Sequence, residues 1–191
     1  ILKQYKDHPK VVHLIINSEN SGSPFLQWKK GFELAKGQLI WIAESDDWAD
    51  EKLVERLVEL LSKDQTIQLA YCASYRTESD GTIIGRHRWA DSLDSEKWKV
   101  DYVNEGQAEI ENYLQFKNTI PNASAVVFRK TAIDKSTAYT DFRYSGDWAF
   151  WLSILKQGKI AYIAEPLNYF RRGTQSLTLD RATFDKEHLK V

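Results

Sequence analysis

Methionine is absent from this sequence, cysteine occurs once, and proline and histidine occur four times each. Each shortage excludes something. A lone Cys72 rules out an internal disulfide and fits a reducing compartment. His8, His13, His87 and His188 are scattered along the chain, which argues against a zinc site. No apolar run approaches the roughly 18 residues of a transmembrane helix, and no signal peptide is visible. Neither sign of charge dominates: 26 basic against 27 acidic residues give no bias toward nucleic acid or a membrane surface. A cytoplasmic location, free or peripheral at the inner membrane face, is the expectation. The chain opens on Ile1 and holds no Met, so a segment of a longer polypeptide is expected. Its length suits one domain, residues 1–191, with a substantial core.

What is present is an alternation of apolar runs and helical patterns. "VVHLII" (Val11 to Ile16) reads as a strand, and "FLQWKKGFELAK" as a helix that Gly37 closes in a left-handed cap. "QLIWIA" is the next strand, followed by a helix from about Ala49 to Ser62 with Leu53, Leu57, Leu60 and Leu61 on one face. "IQLAYCA" reads as a strand buried on both faces. This order predicts an α/β fold with a mixed, mainly parallel sheet flanked by helices. Further on, "YRTESDGTIIGRHRW" predicts a hairpin turning at Asp80-Gly81. Ala90 to Gly106 reads as an irregular excursion, "EIENYLQF" as a helix and "ASAVVFR" as a strand. "GDWAFWLSILKQG" reads as a helix, and "IAYIAEPLNYF" as a strand that Pro166 interrupts.

"QLIWIAESDDWADEKL" turns abruptly from apolar to acidic, and two readings compete for the cluster. Helix capping accounts for Asp47, Asp50 and Glu51, because acids favour a helix N-terminus. It accounts poorly for Glu44 and Asp46, which precede the cap on the strand's carboxyl end, the edge where open α/β sheets bind ligands. Oxygen ligands without nearby His or Cys suit Mg²⁺ or Mn²⁺.

The segment "NSENSGSPFLQWKKGFELAKGQLIWIAESDDW" resembles the nucleotide-sugar-dependent glycosyltransferases of family 2, which have the GT-A fold. Asn20-Ser21-Gly22, Ala35-Lys36-Gly37, the strand Leu39 to Ala43 and the cluster Glu44-Ser45-Asp46-Asp47 follow the family's order, with Glu44 where the family has Asp. The blocks "NTIPNASAVVFRKTAI" and "YSGDWAFWLSILKQGKIAYIAEPLNYFRRGTQSLT" are similar to its later elements. By that resemblance Asp147 is the catalytic base, with Gly146 standing where the family has Glu. Asp46 and Asp47 hold Mn²⁺ or Mg²⁺, and Glu44 joins them on the donor diphosphate. A helix cap is the other reading of Asp147.

The resemblance implies transfer from a nucleotide-sugar, a UDP-sugar, to a carbohydrate or lipid-linked acceptor in polysaccharide synthesis. One base and no nucleophilic carboxylate imply inversion. Arg171 and Arg172 have forked donors suited to a diphosphate, or are solvated surface arginines. Trp48, Trp89 and Trp148 are candidate acceptor-side walls, and Asn122 lies in the block assigned to the acceptor side. The resemblance also implies two strands before Ile1, whose absence would expose strand edges to self-association. The rival from another class is a non-catalytic nucleotide- or sugar-binding module on the same fold.

Overall fold

The structure is a computed structural model that describes residues 2–120, 122–134, 138–171 and 181–191. Five α-helices are described: α1 (Pro24–Leu34), α2 (Leu53–Lys63), α3 (Gly106–Glu109, continuing as a π-helical turn over Ile110–Leu114), α4 (Gly146–Leu155) and α5 (Arg181–His188). The strands are β1 (Leu39–Trp41), β2 (Trp48–Ala49), β3 (Ile67–Thr77), β4 (Ile83–Arg86), β5 (Tyr102–Glu105), β6 (Val126–Arg129) and β7 (Lys159–Arg171). They form one sheet in the order β1-β6-β3-β7-β2, with β4 on β3 and β5 on β7.

The sheet is mixed and flanked by helices, as the sequence predicts, but it is not mainly parallel. Among the described residues only β3 and β7 pair in parallel, while the other five pairings are antiparallel. The reason lies in strand order. β1 and β3 do run in the same direction across α2, as strand-helix-strand connectivity requires. However, β6 inserts between them antiparallel to both.

Alternation along β3, β6 and β7 builds two cores, one on each face. Leu69, Tyr71 and Ala73, with Val126, Phe128, Ile160 and Tyr162, point to an aromatic-rich core. Helices α1 and α4 cover it. Phe25, Trp28 and Phe32 recur at helical spacing on α1, and Phe32 stacks on Phe150 of α4 with ring centroids 5.3 Å apart. Ala70, Cys72, Val127, Ala161 and Ile163 face the other way, onto the leucine stripe Leu53-Leu57-Leu61 of α2. Ser23 caps α1 by accepting from the Phe25 N–H at 3.2 Å, and Pro24 occupies the first turn, where its missing N–H costs nothing.

Several local expectations change. Val11 to Ile16 is not a strand: no described strand pairs with it, and Val12, Ile15 and Ile16 are exposed. An apolar run becomes a strand only where an edge is available to pair with it. Helix α2 starts at Leu53 rather than near Ala49, because Trp48 and Ala49 pair with Tyr169 and Asn168 of β7. Gly37 does not form a left-handed cap. Helix α1 closes at Ala35, in extended conformation, with its N–H on Gly31 O. Pro166 does not interrupt β7, since the ladder slips register around Ala73 and runs on to Thr77 and Arg171. The Asp80-Gly81 hairpin forms as predicted, with Gly81 at φ +95°.

Gly106 is a close-packing point. A Cβ there would lie 2.0 Å from Leu155 O and 2.2 Å from Gly158 O. Both are backbone atoms that cannot swing aside. Gly106→Ala is expected to destabilise the fold by about 1–3 kcal/mol, the usual cost of overpacking, measured as a lowered urea midpoint with an unchanged slope. A midpoint equal to wild type would show that the backbone there yields freely.

Candidate active site

The acidic loop is held where β1, β6 and β7 converge. Ser124, in the 3₁₀ turn before β6, accepts the Trp41 indole N–H on its carbonyl (2.8 Å) and the Glu44 N–H on its hydroxyl (3.1 Å). Asp47 Oδ1 accepts the N–H of Arg171, the last residue of β7, at 3.0 Å. The acid therefore ties the loop to a strand end instead of capping a helix. Lys52 takes the N-cap position of α2 without a side-chain hydrogen bond. Asp50 accepts the Lys52 N–H at 2.9 Å.

Glu44, Asp46 and Asp47 each offer a carboxylate oxygen within 4.8 Å of the others. Burial, then Asp47, Asp46 and Asp147, push the Glu44 carboxyl up to about 7. Asp47 is also raised, first by burial, although the Arg171 N–H, Ser124 and Asn122 pull it back. Asp47 Oδ2 is buried without a hydrogen-bond partner. Crowded hard oxygens, mutual repulsion and an unsatisfied buried carboxylate oxygen together fit a divalent cation such as Mg²⁺ or Mn²⁺. Neutralising these charges is what the cluster lacks.

Asp147 lies in the first turn of α4, with Ser145, not Asp147, at the N-cap. Its repulsion of Glu44 places it beside the acidic loop. Burial pushes its carboxyl up to about 6, opposed by the Trp148 N–H and the Asn118 amide. Asn118 Nδ2 donates to Asp147 Oδ2 at 2.9 Å. Gly146 has no room for a side chain: a Cβ would sit 2.4 Å from Tyr139 O and 2.5 Å from the Phe25 ring.

The remaining predicted residues separate. Arg171 reaches the site, with its guanidinium 5.1 Å above the Trp48 ring and its Nε buried without a partner. Arg172, and the tail "GTQSLT" after it, lie outside the described residues. Trp48 is half-buried and stacks on Tyr169, with centroids 5.3 Å apart. Asn122 is buried and lies near Asp47. Trp148 is not an acceptor wall: it is 4 % exposed, and its indole N–H is spent on Leu114 O at 2.8 Å. Trp89 is 48 % exposed and donates to the main-chain carbonyl of Asn118, the side-chain partner of Asp147, at 2.8 Å. Ser124 and Asn118 were not singled out from the sequence, although both stand in the block "NTIPNASAVVFRKTAI".

A mixed sheet whose acidic loop sits at strand ends, facing a carboxylate at a helix head, defines an α/β protein of the nucleotide-sugar transferase type. Residues 1–137 match the model of glycosyl transferase family 2, and the chain belongs to that family. It is 26% identical over 163 residues to TuaG of Bacillus subtilis (strain 168), a glycosyltransferase named for teichuronic acid biosynthesis. That match covers 85% of this chain and 57% of TuaG. The fold is similar to S. aureus TarS in complex with UDP-GlcNAc, with a TM-score of 0.67 and 11% identity over 92% of this chain and 46% of that one. TarS in complex with UDP gives a TM-score of 0.59 at 10% identity, covering 82% and 42%. The chain thus spans about half the length of the relatives it matches. Among the described residues, no helix is long and apolar enough to cross a membrane.

The acidic cluster makes a direct prediction. In the full-length protein, Mn²⁺ is expected to raise the melting temperature of wild type, and Asp46→Ala to remove most of that rise while keeping a cooperative transition. A site filled at a hundredfold excess over its dissociation constant adds about 2.7 kcal/mol, well within reach of scanning calorimetry. Equal shifts in both proteins would move the cation elsewhere.

Proposed function

We propose that this chain carries the catalytic centre of an inverting, metal-assisted glycosyltransferase of cell-wall polysaccharide synthesis. In this reading a sugar passes from a UDP-sugar to a carbohydrate or lipid-linked acceptor. The observation that carries it is Asp147, a half-buried carboxylate with a raised pKa, close enough to the three clustered carboxylates to repel Glu44. Family membership supports the sugar-transfer class, and the names of TuaG and the TarS complexes support the cell-wall setting and the donor.

The reaction asks two things of these residues. An acceptor hydroxyl attacks the anomeric carbon as the bond to the diphosphate breaks. The bonding pair leaves with the nucleoside diphosphate, and the hydroxyl proton must go to a base. Asp147 accepts that proton; its elevated pKa makes it a stronger base than an ordinary carboxylate while leaving it ionised at neutral pH. Glu44, Asp46 and Asp47 would hold the cation, which when bound supplies Lewis-acid charge to the leaving diphosphate. The Arg171 guanidinium, packed over Trp48 at the end of β7, is placed to donate to the same phosphates. With one base on the acceptor side and no carboxylate assigned as nucleophile, a single displacement inverts the anomeric centre.

Asp147→Asn keeps the shape but cannot take a proton. In the full-length protein it is expected to lower turnover of a UDP-sugar by about two to four orders of magnitude, with donor affinity nearly unchanged. The wild-type kcat/KM should rise with pH through about 6 and then level, because the deprotonated form of Asp147 is the active one. A variant that keeps more than about a tenth of wild-type turnover, against the hundredfold minimum expected of a general base, would reassign Asp147 to a structural role, whereas a wild-type protein that binds the donor without turning it over would favour the non-catalytic binding module.

A further inference from the structure

We propose that Asn118 sets the register between Asp147 and an acceptor cavity beside Trp89, its side-chain amide holding the carboxylate and its main-chain carbonyl holding the indole. The inference rests on Asp147 being the base. Asn118 Nδ2 donates to Asp147 Oδ2 at 2.9 Å, while its Oδ1 accepts the Ile120 N–H at 3.2 Å. The second bond fixes which end of the amide faces the acid, so a donor and not an acceptor meets the carboxylate. Its carbonyl takes the Trp89 indole N–H at 2.8 Å. The preceding residue grips the same tryptophan: Lys117 Nζ donates to Trp89 O at 2.6 Å and lies 4.1 Å from the ring centroid. Two consecutive residues therefore link an exposed aromatic surface to the base.

The space beside that link suits a hydroxyl-rich ligand. A narrow cavity of about 40 Å³ is lined by Ser74, Arg86, His87, Trp89, Asp91 and Thr119 among others. It has room for a few water-sized groups, such as a hydroxyl or hydroxymethyl arm of a sugar. Thr119, directly after Asn118, is 2 % exposed, and its hydroxyl is buried without a hydrogen-bond partner. Such an orphan is expected to be satisfied by water or by a ligand hydroxyl. A sugar with one arm in this cavity and its ring against Trp89 would be held in fixed relation to Asp147, with Asn118 as the positioning residue.

The ionisable groups near Asp147 from other elements are Glu44 on the acidic loop and Glu187 and His188 on α5. Glu187 is occupied by the N–H groups of Arg143, Tyr144 and Ser145 (2.6, 2.9 and 3.0 Å). His188 packs on Trp148, with ring centroids 4.9 Å apart. Asn118 is the residue seen donating a side-chain hydrogen bond to the acid.

The test uses full-length protein with Asn118→Ala, Asn118→Asp and Trp89→Phe, and Asp147→Asn as reference. In metal-free protein, the ¹³C carboxyl resonance assigned by its loss in Asp147→Asn is titrated. Its midpoint is expected to rise by at least about half a pH unit in Asn118→Ala, and further in Asn118→Asp, where a donor becomes a like charge. In Mn²⁺-dependent UDP release from UDP-GlcNAc, with water as acceptor, kcat should fall by about tenfold or more. Donor KM should stay within about twofold, and the acid limb should move the same way as the midpoint. Trp89→Phe keeps the ring but deletes the N–H, so kcat should fall while the carboxyl midpoint stays. Unmoved midpoints in both Asn118 variants would overturn the proposal, and an unchanged kcat in Trp89→Phe would overturn its tryptophan half. Wild-type turnover in Asp147→Asn would instead bring down the base itself, a failure distinct from the first two.

Discussion

The parallel ladder between β3 and β7 is the constraint on which the rest of the molecule depends. It runs from Ile67 opposite Lys159 to Thr77 opposite Arg171, longer than any other pairing described. Its two faces carry the aromatic and the leucine-rich cores. Parallel strands need both faces covered, and here α1 and α4 on one side and α2 on the other supply that cover. The register slip around Ala73 accommodates Pro166 without ending the strand, so β7 extends far enough to deliver the Arg171 N–H to Asp47. A site residue is thus fixed by a strand that starts at the opposite end of the sheet.

That delivery matters because the site is electrostatically unfavourable on its own. Burial and three acidic neighbours work against ionisation of Glu44. Only part of the strain is relieved internally: one Asp47 oxygen receives a backbone N–H, Ser124 and Asn122 lend further help, and the other oxygen is buried without a well-formed hydrogen bond. A fold that needed only a helix cap would not keep such a cluster, since Lys52 starts α2 without one. On the function proposed above, a cation and a phosphate-bearing ligand would balance the remaining charge.

Much of this was legible in the residues, and the losses have identifiable causes. The leucine stripe of α2, the aromatic face of α1 and the Asp80-Gly81 turn follow from local periodicity and turn chemistry, and all three form. Long-range insertion was not legible. Nothing in "ASAVVFR" says that it enters antiparallel between two strands that precede it, which is why a mainly parallel sheet was expected. Val11 to Ile16 has the composition of a strand, but composition does not provide a partner edge. In the site, acids are conspicuous in a sequence and their hydrogen-bond partners are not. Asp147 and the cluster stood out, whereas Asn118 and Ser124 looked like ordinary loop residues. Tryptophans misled for a related reason: an indole reads the same whether it is exposed, like Trp89, or spent on a buried carbonyl, like Trp148.

The two carboxylate environments differ in what sets them. Glu44, Asp46 and Asp47 face one another, so their fate is collective and set by whatever positive charge they share. Asp147 is raised chiefly by burial, and the Trp148 N–H and a neutral amide moderate the effect. Local packing and hydrogen bonding are thus the main influences on its carboxyl. Gly146 contributes by what it leaves out, since the Phe25 ring and Tyr139 O occupy the space a side chain would need. The turn before Asp147 is pinned from the other side by Glu187, which takes three consecutive N–H groups from Arg143 to Ser145. Helix α5 thereby braces the head of α4, and a carboxylate held by packing on one side and by a braced turn on the other would, as the proposed base, be preorganised for the proton it takes.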